Sequence, residues 1–150
     1  MTDTDGVRVA IAHDYLADQL RKLKSNNVLV LSDLTSGQMT WLYQGCNGLI
    51  AASYEDYGLT PIEAGYHGKP SAVLPWGGFL DTVEEGVSGV YFDEPQPDSI
   101  RRAVTELEAT TWEPSKIKEH VEQFGEDTFA AELNAAVTEL HTGTIERAAS

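Results

Sequence analysis

A doubly wound α/β fold, a parallel sheet of about five strands between two layers of helices, is what this 150-residue sequence predicts. Three observations lead there. Short apolar runs alternate with segments of helical spacing, the pattern of repeated strand-helix crossovers. The apolar runs lack in-out alternation, as strands buried on both faces require. The connections between them are short and carry helix starts and stops.

Taken in order, Val7-Arg8-Val9-Ala10-Ile11-Ala12 predicts a first strand. Asp14 caps a helix to about Leu23, with Tyr15, Leu16, Leu20 and Leu23 on one face. Val28-Leu29-Val30-Leu31 is the second strand. Thr35-Ser36-Gly37-Gln38 has capping-box spacing and opens a helix through Met39, Leu42 and Tyr43. Gly48-Leu49-Ile50-Ala51 is the third strand, and Thr60 to His67 the next helix, ended by Gly68. Ser71-Ala72-Val73-Leu74 is the fourth strand, stopped by Pro75, and Phe79 to Glu85 a short helix. Gly89-Val90-Tyr91-Phe92 is the fifth strand. Asp98 caps a helix through Ile100, Val104 and Leu107, and Pro114 starts another through Ile117 and Val121. Phe124-Gly125 breaks it, after which Phe129, Leu133, Val137 and Leu140 resume helical spacing. Residues 1–141 are expected as one domain and 142–150 as a flexible tail.

With 41% hydrophobic residues the chain has material for one core. Its formal net charge of -14 argues against nucleic acid, whose phosphates need clustered Lys and Arg, and against anionic lipid. No apolar run is long enough for a transmembrane segment. The acidic start, Met1 to Asp5, is unlike a secretory signal, so a cytoplasmic setting is expected. Cys46 is the lone cysteine; no internal disulfide is expected, and the thiol reads as a small core residue.

Ligands of doubly wound sheets bind beyond the carboxyl ends of the strands, which here means the loops 13–14, 32–35, 52–60 and 75–79. The third of these carries the chemistry: Ser53-Tyr54-Glu55-Asp56-Tyr57-Gly58-Leu59-Thr60-Pro61-Ile62-Glu63-Ala64-Gly65. Gly58 can take positive φ and lets a ligand approach the backbone. Thr60 is a natural N-cap and Pro61 a natural first helical residue. Free N–H groups and the dipole at that helix start favour an anion such as phosphate. Glu55 and Glu63 can accept hydrogen bonds from sugar hydroxyls. On spacing alone Thr60-x-x-Glu63 reads first as a capping box with Glu63 holding the helix end, and Glu55 and Asp56 read also as ordinary solvated charges. His120 and His141 have no metal-ligand partners at matching spacing, His13 reads as a loop histidine without a role and His67 as packed or facing solvent; no metal and no cofactor are expected. Gly77-Gly78 reads as a strand-to-helix turn or a ligand approach, and Trp41, Trp76 and Trp112 as packing.

The pair Glu55-x7-Glu63 within Glu55-Asp56-Tyr57-Gly58-Leu59-Thr60-Pro61-Ile62-Glu63-Ala64 resembles the signature of family 4 (group 1) glycosyltransferases. The resemblance continues downstream in Gly68-Lys69-Pro70, Gly77-Gly78-Phe79-Leu80-Asp81-Thr82-Val83 and Glu85 to Phe92. Upstream it includes Asn27 to Leu31 and Leu42-Tyr43. It implies half of a GT-B architecture, a three-layer Rossmann-like domain that binds the sugar donor. Glu55 would be the catalytic-site carboxylate on the donor sugar. Tyr57, Gly58, Leu59 and Thr60 would line the sugar and diphosphate, Glu63 would hold the ribose, and the loop around Leu34 would touch the base. The implied reaction is retaining transfer from a UDP- or GDP-linked sugar, with the donor phosphate helping to deprotonate the acceptor. That route needs no nucleophile triad, and none is visible.

Two features depart from the family pattern. There is no room for an acceptor domain, and no Arg-Lys pair before Asn27 matches the one that reaches the diphosphate. Losing two such cations costs roughly 3–6 kcal/mol of donor binding. Val7 to Leu16 fits either the donor domain's second strand-helix unit or the opening of a full-length enzyme. The expected partners are therefore a nucleotide sugar and a separate acceptor domain. The alternative is a non-catalytic binding or interaction module, self-associating through an exposed sheet edge.

Overall fold

The computed structural model describes residues 8–11, 14–22 and 28–148. His13 lies outside them. The elements run β1 (Arg8–Ile11), α1 (Asp14–Arg21), β2 (Val28–Leu31), α2 (Ser36–Gly45), β3 (Leu49–Ala51), α3 (Leu59–Tyr66), β4 (Ser71–Val73) and α4 (Phe79–Thr82). They continue with β5 (Gly89–Tyr91), α5 (Pro97–Ala109), α6 (Pro114–Glu122) and α7 (Glu126–Ala148). The chain divides into two compact units, Met1–Leu42 and Tyr43–Ser150.

In the first unit β1 and β2 pair in parallel, Arg8 against Val28 through Ile11 against Leu31. The capping box at the start of α2 forms as its spacing predicts. Thr35 donates its N–H to Gln38 Oε1 at 2.8 Å, and Gln38 returns its N–H to Thr35 Oγ1 at 3.3 Å.

The second unit holds the parallel ladder β3-β4-β5. All of β4 is buried, and alternation along it sends successive side chains to opposite faces. Ala72 and Leu74 join Val90 and Phe92 of the β5 segment in a cluster with Ala103 and Leu107 of α5. Val73 faces the other way, against Phe79 and Val83. Helices thus cover both faces of the ladder. On the outside, α3 packs on α6 through Ile62, Ala64 and Gly65 against Ile117 and Val121, and a Cβ on Gly65 would overlap the Val121 side chain.

Several boundaries differ from expectation. Helix α3 begins at Leu59, because Gly58 takes φ 87° and is itself the N-cap. Thr60 and Pro61 are therefore the second and third helical residues, not cap and first. Helix α5 is capped at Gln96 with Pro97 first, and Asp98 sits in the first turn, where it pairs with Arg101 at 2.6 Å. The α4 helix stops at Thr82, since Val83 turns extended and gives its carbonyl to the Tyr91 hydroxyl at 2.6 Å. Helix α7 continues to Ala148, through the stretch expected as a tail. Its Phe129, Leu133 and Val137 keep helical spacing but are exposed rather than packed. No described helix is long and apolar enough to cross a membrane.

Candidate functional site

Glu55, Tyr57, Gly58, Leu59, Thr60 and Glu63 lie on the β3–α3 connection and the first turns of α3, at the carboxyl end of the second ladder. Leu34 belongs to the first unit, in the β2–α2 loop after Asp33, whose φ of 52° is left-handed for a non-glycine residue. Asp is among the residues that tolerate this conformation.

Two loops are locked together at the site. Gly78 donates its N–H to the Glu55 carbonyl at 3.0 Å. A Cβ on Gly77 would strike the Glu55 carbonyl, and one on Gly78 the Tyr57 backbone. The reason for the tandem glycines is neither of the two read from sequence, a turn or a ligand approach: the two loops touch backbone to backbone, which only glycine permits. Gly58 is held in the same way, since a Cβ there would lie 2.8 Å from Thr82 Oγ1 and 3.0 Å from Phe79 Cδ1. Thr82 Oγ1 in turn donates to the Gly78 carbonyl at 2.9 Å. The 53–58 loop is thus seated on α4.

This loop delivers the chain into α3 with the pole of the helix open. No side chain caps it, and its first turn contains no acidic residue. The first-turn N–H groups have no acceptor within the helix, and the dipole makes that end positive. Glu55, Tyr57, Leu59 and Thr60 around it are exposed. Tyr54 and Trp76 meet edge to face at 5.3 Å on the two locked loops.

Glu63 is not part of a capping box. Instead Tyr43, from the end of α2, donates its hydroxyl to Glu63 Oε2 at 2.8 Å. Tyr43 is buried, and its ring stacks on His67 at 6.0 Å and 15°. The sequence reading had given neither Tyr43 nor His67 a place at the site; a partner 20 residues upstream has no local signature. His120, seen in sequence only as a late-helix residue, bridges α6 to the segment after α4, Nε2 to Thr82 O at 3.1 Å and Nδ1 to Glu84 Oε2 at 3.2 Å.

Burial, followed by the hydrogen bond and charge of Glu63, pushes the Tyr43 hydroxyl well above its ordinary 10.0. Burial first, then Glu85 and Asp81, raises Tyr91, and burial raises the half-buried Cys46 thiol above 9.0. All three keep their protons longer folded than unfolded. Their contribution to stability is complete below about pH 9 and is lost as pH rises beyond their ordinary values. Urea midpoints are expected to be flat from pH 7 to 9 and to fall steadily above pH 10, with a shallower fall in Tyr43→Phe. Equal slopes would show that Tyr43 does not contribute.

The model of the family described as glycosyl transferases group 1 matches residues 12–127. The chain belongs to the group 1 glycosyl transferases. The alpha-1,3/1,6-mannosyltransferase ALG2 of Dictyostelium discoideum is 32% identical over 121 residues, which cover 77% of this chain and 29% of that protein. ALG2 of Candida glabrata is 32% identical over 74 residues, 49% of this chain and 16% of that one. Among solved structures, Anabaena Alr3699/HepE in complex with UDP-glucose superposes with a TM-score of 0.67 at 20% identity, covering 89% of this chain and 41% of that one. As a group 1 glycosyl transferase domain the chain has one half of the GT-B fold, and it spans less than a third of the length of the mannosyltransferases it matches.

Proposed function

We propose that this chain binds the donor of a retaining glycosyl transfer, a UDP- or GDP-linked sugar, and that transfer requires an acceptor-binding domain. The observation that carries the reading is the locked 53–58 loop ending at the uncapped pole of α3, with Glu55 before it and Glu63 one turn inside. The N–H groups of Leu59 and Thr60 and the backbone at Gly58 receive the diphosphate. Glu55 accepts hydroxyl hydrogen bonds from the donor sugar at the reacting end. Glu63 accepts those of the ribose, and Tyr57 borders the nucleotide. The leaving diphosphate takes the acceptor proton, so the protein's part is orientation and electrostatics. The solved relative in complex with UDP-glucose supports a nucleotide sugar as ligand. The likeness to mannosyltransferases supports glycosyl transfer as the chemistry.

A second reading, a non-catalytic module that keeps the fold, is favoured by one observation: the cations before Asn27, namely Arg8, Arg21, Lys22 and Lys24, do not match the family's Arg-Lys pattern. Such a module would bind its partner, or itself, through an exposed strand edge.

Calorimetric and thermal-shift titration with UDP, GDP and their sugar conjugates tests both. One nucleotide is expected to bind weakly, and Glu63→Ala to weaken it by about 1.5–3 kcal/mol, roughly tenfold or more. The chain alone is expected to transfer no sugar, and to do so once an acceptor domain is supplied. Binding without transfer under any pairing selects the second reading. No response at millimolar nucleotide ends the donor-binding reading.

A further inference from the structure

We propose that Tyr43 is a positioning residue for nucleotide recognition, fixing the Glu63 carboxylate so that it meets an intact ribose diol. This deepens the ribose role given to Glu63 above and rests on it.

Glu63 projects from the middle of α3 and is exposed as a residue. A glutamate there has three rotatable side-chain bonds, and ordering it on ligand binding has an entropic cost. Tyr43 meets that cost beforehand. Its hydroxyl reaches Glu63 Oε2 at 2.8 Å from α2, a separate element, and a charge-assisted bond of this kind is stronger than a neutral one. The donor is itself held from two sides. Tyr43 is only 7% exposed, and its ring lies nearly parallel to that of His67, the C-cap residue of α3. The tyrosine is therefore braced at the end of the helix whose middle it holds.

One bond does not exhaust the carboxylate. An ionised glutamate offers about four acceptor sites, and Tyr43 uses one. The remainder suit two vicinal hydroxyls, which donate together to one carboxylate. The Tyr43 hydroxyl, like any tyrosine's, stays protonated and a donor across neutral pH, and burial only extends that range upward. Phenylalanine at this position keeps the ring, the burial and the stack, and removes only the hydroxyl.

The experiment measures binding of UDP and GDP, and of their 2′-deoxy and 3′-deoxy forms, to the full 150-residue chain. Four proteins are compared: wild type, Tyr43→Phe, Glu63→Gln and the double variant. Wild type is expected to bind the intact nucleotide better than a deoxy form by about tenfold. In Tyr43→Phe intact-nucleotide affinity falls by about three- to tenfold and the ribose preference shrinks toward unity, because the carboxylate is no longer fixed. In the Glu63→Gln background, removing the tyrosine hydroxyl adds little further loss, since it acts through Glu63. A purely structural tyrosine would lower the melting temperature and leave the ribose preference unchanged. That result, or equal losses in both backgrounds, overturns the inference while nucleotide binding stands. A wild type that binds nucleotide with no ribose preference removes the ribose role of Glu63 and this inference together.

Discussion

Phe79→Ala is expected to lower unfolding free energy by about 3–5 kcal/mol, within the range found for deleting a buried aromatic side chain. Phe79 is fully buried between Val73 of the central strand and Val83. The ordinary stability of a domain is about 5–15 kcal/mol, so this one change removes a large share. Its effect should not stop at the core. The ring lies under Gly58, close enough that a Cβ there would sit 3.0 Å from Cδ1. Emptying that space removes the floor of the 53–58 loop, and nucleotide affinity should fall with stability. Urea unfolding, read beside titration with UDP and GDP, checks both. The milder Phe79→Leu keeps most of the volume and should cost much less. A loss under about 1 kcal/mol for Phe79→Ala would mean that the cluster collapses around the gap, against the packing described.

Where local chemistry decides, the sequence was legible. Thr35 and Gln38 stand at capping-box spacing and form the box. Pro114 reads as a helix start and is the first residue of α6, where a missing N–H is harmless. The run from Ser71 to Leu74 predicts a strand buried on both faces, and all four residues are buried. The E-x7-E loop was recognisable for the same reason, its glycine, proline and carboxylates being contiguous.

Where contacts between distant segments decide, the sequence misled. Thr60-Pro61 is a strong local start signal, yet the helix starts earlier, because Gly58 packs on Thr82 and Phe79 and turns the chain there. The spacing of Thr60 and Glu63 favours a capping role for Glu63, whereas the structure brings Tyr43 of α2 to its carboxylate instead. The exposure of Phe129, Leu133 and Val137 could not be read from their spacing, which is the same for a covered and an uncovered helix face.

Gly78→Ala is expected to be nearly as damaging to the site as Phe79→Ala is to the core, for a reason unrelated to backbone conformation. Gly78 has φ -62° and ψ -16°, values any residue adopts. Space is what excludes a side chain. The new Cβ would meet the carbonyl oxygen, carbonyl carbon and Cα of Tyr57, all backbone atoms with no rotamer to escape into. Relief requires the 53–58 loop to lift from α4, which breaks the Gly78 N–H bond to the Glu55 carbonyl and displaces Glu55 and Tyr57. Overpacking of this kind costs about 1–3 kcal/mol or more, and alanine's better helix propensity returns at most about 1 kcal/mol. Binding should suffer beyond the stability loss, because the displaced atoms are those assigned to the donor. Gly37→Ala is the matched control: that helical glycine has nothing within 4 Å of a new Cβ and should be neutral or slightly stabilising. If Gly78→Ala matched Gly37→Ala in urea midpoint and in nucleotide affinity, the two loops would not be locked in solution, and the pre-organised site built on that lock would have no basis.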